Sequence, residues 1–272
     1  MTPEPAVADH YGRPRLVETI LTAFAQAGKD AAHLTAADLA GVDQFHVGGA
    51  LATEDLAGQM QLRPGMHLLD IGCGLGGPAR YFSGLGCRVT GIDLTPEFVE
   101  AARDLTRLVG MDNVDFRQAS AAGLPFDTAS FDGAYLIHVG MNIPDKPAVF
   151  REVRRALRPG GVFAIFDFVR SAEGPIRYPV PWASTEATSF VETVGAYRAA
   201  LETAGFRITS ERDRRDFAIA QTERSIARMQ QSGNTGPGLA LLMGEKTPLL
   251  IGNMLSMLRE GLLGPVEIIA QA

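Results

Sequence analysis

A glycine-rich loop with a carboxylate on either side is the segment of this sequence best suited to hold a ligand. The loop is Gly72-Cys73-Gly74-Leu75-Gly76-Gly77, and it follows the apolar run Leu68-Leu69-Asp70-Ile71. Glycines spaced in this way between a strand and a helix let the backbone approach a ligand closely. Asp93 ends the next apolar run, where a carboxylate can accept hydrogen bonds from a ribose diol. This spacing alone fits several nucleoside-containing ligands.

Asp70 distinguishes between the ligands that such a loop binds. It lies two residues before the first glycine, at the predicted end of a strand. A carboxylate at that point repels a pyrophosphate, which disfavours a nicotinamide dinucleotide and an oxidoreductase function. The same charge attracts the ammonium and sulfonium groups of S-adenosylmethionine. The residues therefore favour this methyl donor, with S-adenosylhomocysteine as its product.

Apolar strands alternate with helices around the loop, and these elements must position it. The predicted strands cover residues 66–71, 88–92, 114–117, 131–137, 162–167, 206–210 and 266–270. We expect the helix before the fifth strand to stop at Arg158-Pro159-Gly160-Gly161. Helical spacing of apolar residues occurs near the start of the chain and again from about residue 216 to 260. This alternation predicts an α/β fold in which helices cover both faces of a parallel sheet.

The segment Leu68–Arg80 resembles motif I of the class I S-adenosylmethionine-dependent methyltransferases. Leu124-Pro125-Phe126, Ser130-Phe131-Asp132 and Leu157-Arg158-Pro159-Gly160-Gly161 resemble the later motifs of that family, in the expected order. The subgroup is similar to sarcosine/dimethylglycine N-methyltransferases and to ubiquinone, tocopherol and sterol C-methyltransferases. The resemblance implies a Rossmann-like sheet that is mostly parallel, with an antiparallel last strand.

We predict four segments along the chain on this basis. An N-terminal helical cap spans residues 1–62, and the methyltransferase core spans 63–212. A helical cap insertion spans 213–261, and the final core strand lies in 262–272.

The resemblance also implies which residues bind the donor. They are Asp70, Gly72, Cys73 and Gly74 at the methionine end, Asp93 at the ribose, Leu94, Ser120 and Ala121 around the adenine, and His138 near the methyl group. Ser120 stands where family members often have an Asp that binds the adenine amine, and its hydroxyl lacks charge assistance. Gln118 is the alternative partner. We expect Cys73 to fill the turn as a small buried residue.

Three residues are candidates for the methyl-transfer point. His138 follows the fourth strand and is the candidate general base, or alternatively only a donor contact or loop anchor. Asn142 orients a substrate carbonyl or amine in one interpretation and forms an Asx turn before Pro144 in the other. His46 lies in Phe45–Gly49, which resembles the loop that several family members place over the donor. It contacts donor or substrate, or packs in the cap.

The later part of the chain offers a second set of apolar candidates. Trp182 is the only tryptophan, and it forms either a wall of a substrate pocket or a hydrophobic plug under its proline-rich loop. Met229, Met243, Met254 and Met257 line an adaptable pocket in one interpretation. In the favoured one they belong to the core or to a dimer face, which leaves a homodimer open.

The composition of the chain argues against several classes of binding partner. The 272 residues carry a formal net charge of −6, which disfavours a nucleic-acid substrate. Two cysteines without a paired framework indicate a reducing, cytoplasmic location and no metal site. The apolar stretches are too short to insert into a membrane. We therefore expect a small-molecule acceptor.

The acceptor atom, nitrogen, carbon or oxygen, stays open at this stage. The main hypothesis is an enzyme that methylates a small molecule. The alternative is a protein that binds S-adenosylmethionine or S-adenosylhomocysteine but acts as a cyclase or as a binding module, because a fold does not determine a function.

Overall fold

The computed structural model describes residues 3–12, 15–232, 237–238 and 240–272. Its strands are β1 (His67–Ile71), β2 (Arg88–Asp93), β3 (Val114–Gln118), β4 (Phe131–Ile137), β5 (Leu157–Arg170), β6 (Arg207–Asp213) and β7 (Leu263–Gln271). Its helices are α1 (Glu4–Tyr11), α2 (Leu16–Gln26), α3 (Ala36–Asp43), α4 (Gly49–Gln59), α5 (Gly77–Gly84), α6 (Pro96–Leu108), α7 (Lys146–Ala156), α8 (Val194–Thr203), α9 (Arg215–Ser232), α10 (Ala240–Met243) and α11 (Thr247–Arg259).

The seven strands form one sheet in the order β3-β2-β1-β4-β5-β7-β6. The first five strands run parallel, and β7 lies antiparallel between β5 and β6. This topology confirms the predicted Rossmann-like fold with an antiparallel last strand. The strand order reverses between β1 and β4, so the connections after these two strands leave to opposite sides and open a crevice.

The central strands are apolar on both faces because helices cover both faces of the sheet. Leu68, Leu69 and Ile71 of β1 are fully buried, and so are Phe163 and Phe166 of β5. This core keeps the carboxyl ends of β1 and β4 side by side, with Leu69 paired to Ala134 and Ile71 to Leu136 within the sheet. The residues that follow these strands are therefore neighbours.

The start of β5 differs from the prediction. The strand begins at Leu157, which pairs with Phe131, whereas we predicted residue 162 as its start. The pairing then moves to Gly133 and Val162, so Arg158–Gly161 forms an irregular bulge inside the strand. The helix α7 ends at Ala156, just before the stop that we predicted at Arg158–Gly161, and Gly160 takes a φ of 78° inside the bulge.

The N-terminal helices pack beside the core through α2, α3 and α4. Leu16, Ile20 and Phe24 of α2 form one apolar face that packs with Phe98 and Leu105 of α6. The late helix α11 packs in a separate cluster of buried apolar side chains, together with Val180 and Trp182 from the segment after β5. The four-segment division of the chain stays a prediction. None of the helices in the described ranges has the length and hydropathy needed to cross a membrane.

Candidate active site

A cavity of about 1080 Å³ opens at the carboxyl ends of β1, β2 and β4. All eleven residues predicted for the site line it: His46, Asp70, Gly72, Cys73, Gly74, Asp93, Leu94, Ser120, Ala121, His138 and Asn142. The fold thus brings together residues from five separate stretches of the chain. Their individual roles stay predictions.

The backbone of the loop after β1 requires glycine at two of the predicted positions. Gly72 has a φ of 73°, and a Cβ on it would lie 2.4 Å from Cγ2 of Val139. Gly74 has a φ of 51°, and a Cβ there would lie 3.0 Å from the Phe45 ring. Side chains at these positions would strain the backbone and collide with the segments after α3 and β4. The loop is therefore packed between those segments, and its Gly72 and Cys73 amides donate to the Ile92 carbonyl of β2 at 2.8 and 2.9 Å.

Asp93 ties this loop to the end of β2. Its Oδ2 accepts a hydrogen bond of 2.9 Å from the Gly74 amide, and its Oδ1 accepts one of 2.9 Å from the Thr95 amide. Burial raises the pKa of this carboxyl, while both amides oppose the shift. Each oxygen keeps a lone pair after these bonds, so the carboxylate can still accept from a ligand hydroxyl.

Asp70 is a buried carboxyl with one unpartnered oxygen. The residue is 2% exposed, and its Oδ2 has no hydrogen-bond partner. Burial raises its pKa from an ordinary value near 4 to about 8, and the buried Tyr135 hydroxyl beside it opposes this shift. A buried group of this kind is costly unless a cation or donor completes it. The orphaned oxygen lies next to the glycine loop, so the residues present fit a ligand that brings a positive charge.

His138 occupies a strained position directly after β4. Its φ is 53°, unusual for a residue other than glycine, and its amide donates to the Phe166 carbonyl at 2.7 Å. The ring packs against Phe166 and Phe168, with centroid distances of 4.6 and 4.9 Å. Its Nε2 is buried and unpartnered. Burial, helped by the nearby His46, places its pKa well below the ordinary value. The imidazole is therefore neutral at physiological pH.

His46 faces His138 from the loop between α3 and α4. Its Nε2 lies 3.0 Å from the Gly49 carbonyl oxygen and 3.1 Å from Oγ1 of Thr53. The Thr53 hydroxyl donates to Oε1 of Gln44 at 2.6 Å. A carbonyl accepts only, so Nε2 of His46 carries the proton and Nδ1 is the free base. Burial lowers the pKa of this imidazole to about 4.

Asn142 has partners that the sequence did not suggest. Its Nδ2 donates to the carbonyls of Trp182 and Thr188, at 2.8 and 3.0 Å, and its Oδ1 accepts from the Tyr11 hydroxyl at 3.0 Å. The amide therefore joins the N-terminal helix to the segment after β5, and it forms no Asx turn before Pro144. Its predicted role toward a substrate has no support from this geometry, because these contacts occupy the side chain.

Ser120 is also engaged by the N-terminal helix. Its hydroxyl donates to Oε1 of Glu4 at 2.5 Å. Gln118, the predicted alternative, is exposed and donates to the Leu94 carbonyl at 3.1 Å. The acidic group at the predicted adenine end thus comes from α1 rather than from the segment after β3. Sequence reasoning missed Glu4 because no motif connects it to Ser120.

A buried ion pair between Arg80 and Asp43, which the sequence did not reveal, packs against the glycine loop. Nη2 of Arg80 lies 2.7 Å from Oδ2 of Asp43 and 2.5 Å from the Leu75 carbonyl oxygen, and Nη1 donates to Oγ1 of Thr106 at 2.6 Å. Both charged side chains are 1% exposed. Arg80 was visible only as the last residue of the first motif, and nothing in the spacing connected it to Asp43.

Trp182 and the late methionines lie in the apolar core, in the cavity wall, or in both. Trp182 is 1% exposed, stacks on Phe168 and donates from Nε1 to Oγ of Ser189 at 3.0 Å, yet it also lines the cavity. Met229, Met243 and Met254 line the cavity as well. Met257 is fully buried in the neighbouring apolar cluster. Most of this methionine set therefore belongs to a pocket wall, which was the less favoured interpretation.

Comparison with known proteins gives this site a family. Residues 69–165, from β1 into β5, match the family model described as a methyltransferase domain. This part of the chain is a methyltransferase domain. The match contains Asp70, the glycine loop, Asp93 and His138, so the resemblance read from the first motif is confirmed. His46 and the N-terminal helices lie outside the matched region.

A curated relative matches much of this chain. The sequence is 32% identical to phosphoethanolamine N-methyltransferase 1 of Arabidopsis thaliana over 193 residues, which cover 68% of this chain and 37% of the relative. The chain spans less than half the length of the curated relatives that it matches.

Two solved structures show the same fold. Phosphoethanolamine N-methyltransferase 2 of Haemonchus contortus, in complex with S-adenosyl-L-methionine, superposes with a TM-score of 0.73 at 18% identity, over 94% of this chain and 56% of that chain. The [4+2]-cyclase SpnF superposes with a TM-score of 0.65 at 22% identity, over 93% and 92%.

Proposed function

We propose that this methyltransferase transfers a methyl group from S-adenosylmethionine to a small-molecule acceptor. The observation that carries the proposal is the unpartnered Oδ2 of Asp70, buried beside a glycine loop at the end of β1. The methionine end of the donor carries an ammonium and a sulfonium, and either charge supports ionisation of this carboxyl. A pyrophosphate in the same place would add a second negative charge to the site.

The remaining donor contacts follow from the geometry of the loop. The backbone of Gly72, Cys73 and Gly74 would hold the methionine portion, and Asp93 would accept from the ribose hydroxyls. Leu94 and Ala121 would flank the adenine, with Ser120 and its partner Glu4 at the amine. Burial raises the pKa of the Cys73 thiol well above its ordinary value, so this residue acts here as a small packing group and not as a nucleophile.

Methyl transfer from an activated donor requires that the protein align the donor and the acceptor and supply a base. The donor, when bound, supplies a methyl group that is already activated by the sulfonium. His138 follows the strand that ends at the switch point, and we assign it the removal of the acceptor's proton. His46 stands opposite with its tautomer set by Gly49, and it limits the space in which an acceptor can lie. Asn142 acts as a positioning residue that holds the loop carrying His138.

The experiment that tests this function measures binding and turnover in the same preparation. Calorimetry with S-adenosylhomocysteine reports the donor site, and labelled S-adenosylmethionine with a panel of amines, phenols and prenyl compounds reports transfer by mass spectrometry. We expect labelled product from the wild type. We expect Asp70→Asn, which keeps the shape of the side chain, to weaken donor binding by at least about tenfold, or roughly 1.4 kcal/mol. Donor affinity unchanged in this variant would contradict the assignment.

The cyclase or binding-module alternative rests on likeness of fold alone. A preparation that binds S-adenosylhomocysteine tightly and transfers no label to any acceptor would favour that alternative over methyl transfer. The two functions are distinguishable because the donor site is measured independently of the acceptor.

Three further expectations accompany the proposal. The acceptor is a small molecule, since the residues that line the cavity form a concave pocket between the core and the helices. A cytoplasmic location agrees with two cysteines that are both free. Homodimer formation stays a prediction from the sequence, and sedimentation velocity tests it.

A further inference from the structure

The cavity continues beyond the donor loop into a second region that nothing above assigns. This region lies between the segments after β4 and β5 and the last three helices. The side chains that line it are Met141, Phe168, Trp182, Met229, Met243 and Met254, and we call them the acceptor half. Met141, Phe168, Trp182 and Met254 belong to one buried apolar cluster, against which Met243 packs.

An unbroken row of aromatic rings connects the acceptor half to the point of methyl transfer. The His138 ring lies 4.9 Å from the Phe168 ring, and Phe168 stacks on Trp182 at 4.9 Å. A molecule lying along this row would have one end at His138 and its body against Trp182 and the methionines. The acceptor half is therefore a place for the body of the acceptor.

The charges around the cavity are distributed unevenly. The carboxylates that line it are Glu4, Asp43, Asp70, Asp93 and Asp145. Glu4 accepts from Ser120, Asp43 pairs with Arg80, and Asp145 caps α7 through the Ala148 amide at 2.9 Å. Asp70 and Asp93 belong to the donor loop. No carboxylate stands in the acceptor half among the described residues.

The only charged lining residues of α9 in the described ranges are cationic. They are Arg224 and Arg228, four residues apart and so on one face of the helix. Both side chains are exposed to solvent, so the missing carboxylate carries the argument. An ammonium group entering the acceptor half would give up its water without gaining a carboxylate. The region therefore selects against a cationic acceptor.

The methionines give this half an adaptable shape. Met141 and Met254 are 3% and 2% exposed and form the base, while Met229 and Met243 are half-buried nearer the helices. Methionine side chains are unbranched and polarizable, and they fit apolar surfaces of irregular outline. Such a wall suits a molecule with a long or polycyclic hydrocarbon body.

We propose that the acceptor is an extended, predominantly apolar molecule that is uncharged at its reacting end and presents a hydroxyl group to His138. This proposal rests on the proposed methyl transfer and names its substrate class. The hydroxyl oxygen forms a bond to the methyl carbon, and the carbon–sulfur bond of the donor breaks, with its electron pair passing to the sulfur. The hydroxyl proton goes to the neutral imidazole and from there to water. The products are a methyl ether and S-adenosylhomocysteine.

Tryptophan fluorescence gives a direct test, because Trp182 is the single tryptophan of the chain and lines the acceptor half. Farnesol and farnesylamine share one hydrocarbon body and differ at the reacting end, and estradiol offers a polycyclic body with hydroxyl groups. Each is titrated into the full chain saturated with S-adenosylhomocysteine. We expect farnesol or estradiol to change the Trp182 emission at concentrations at least about tenfold below those that farnesylamine needs. Binding of the amine at equal or lower concentration, or no change with either alcohol, would overturn the proposal.

Two variants show whether the methionine wall causes the effect. Met243→Glu places a charge in the acceptor half, and Met111→Glu makes the same change at a half-buried methionine outside the cavity. We expect the first to weaken binding of the alcohol at least about tenfold and the second to leave it unchanged, with S-adenosylhomocysteine affinity equal in both. Equal alcohol binding in both variants would contradict the proposal.

The donor measurement separates this inference from the function on which it rests. Failure of the wild type to bind S-adenosylhomocysteine would contradict the proposed methyl transfer itself. Tight binding of S-adenosylhomocysteine together with labelled transfer to the nitrogen of farnesylamine, or to a short polar amine, would overturn only the substrate class. Labelled transfer to a hydroxyl oxygen of farnesol or estradiol is the supporting result.

Discussion

The rings of His46 and His138 meet edge to face across the cavity, with their centroids 6.0 Å apart. One residue comes from the loop between α3 and α4, and the other follows β4, so the pair joins the N-terminal cap to the sheet. Burial lowers the pKa of both rings, to about 4 for His46. Both imidazoles are therefore neutral and able to accept a proton, but their lowered pKa values make them weaker bases than an exposed histidine.

The two histidines are expected to respond differently to substitution. His138→Gln should lower kcat by roughly 10²-fold or more with donor affinity unchanged, because the base is lost while the side-chain shape is largely kept. His46→Gln should act mainly on KM, since this ring borders the acceptor and is anchored by Gly49. Steady-state kinetics with a methylated acceptor checks both. Equal effects of the two variants on kcat would contradict the assignment of the base to His138.

The pH dependence of turnover follows from the lowered pKa values. Since His46 titrates at about 4 and His138 lies well below its ordinary value, both rings stay neutral down to acidic pH. We expect kcat to be flat from pH 6 upward in the donor-saturated enzyme. An acid limb centred near the ordinary histidine value of about 6.5 would show that the base is not buried in this way.

Asp70 should make both stability and donor affinity depend on pH. Its folded-state pKa of about 8 lies above the unfolded value, so the folded protein holds a proton that the unfolded chain has lost. Without donor, the contribution of Asp70 to the free energy of unfolding is largest below about pH 4. This contribution is lost as the pH rises toward 8. Donor affinity should rise over the same approach to pH 8, because only the carboxylate pairs with a cation. Asp70→Asn should lack both dependences, as measured by urea unfolding and calorimetry.

The buried ion pair between Arg80 and Asp43 should matter more for stability than exposed pairs do. Arg80→Met leaves the Asp43 charge buried without its partner, and we expect a loss of about 3–5 kcal/mol of unfolding free energy. The double variant Arg80→Met with Asp43→Asn should recover part of this loss. Arg107→Met, which breaks the exposed pair with Asp104, is the control and should be close to neutral. Urea titrations that give equal losses for Arg80→Met and Arg107→Met would contradict the structural role of the buried pair.

A pair of alanine substitutions separates backbone strain from collision at the glycine loop. Gly72 and Gly110 have similar φ values, 73° and 69°, but only a Cβ on Gly72 meets a neighbour, the Val139 side chain. We expect Gly110→Ala to cost about 1 kcal/mol of stability with donor binding intact. Gly72→Ala should in addition abolish measurable donor binding, because the loop must move. Calorimetry measures the affinity of both variants for S-adenosylhomocysteine. Wild-type affinity in Gly72→Ala would show that the loop can move away from Val139 and still bind the donor.

Short-range spacing in the sequence was sufficient for the sheet and for placing the glycine loop and its neighbouring carboxyls at the cavity. Apolar runs of strand length fall at β1, β2, β4 and β5 because these strands are largely buried on both faces, whereas only Phe116 is buried in the edge strand β3. Asp70, the glycines and Asp93 could be assigned because their positions relative to the strand ends follow from consecutive residues. The start of β5 could not, since it depends on the pairing of Leu157 with Phe131 across the sheet.

Only the tertiary structure decided what surrounds those residues. Tyr11 reaches Asn142 from 131 positions away, and Glu4 reaches Ser120 from 116, so no local pattern in the chain encodes either contact. The methionines of α9 to α11 have helical spacing whether they face a core, a partner or a cavity. Their direction is set by how those helices close over the sheet, because burial is a property of the packed chain and not of any one segment.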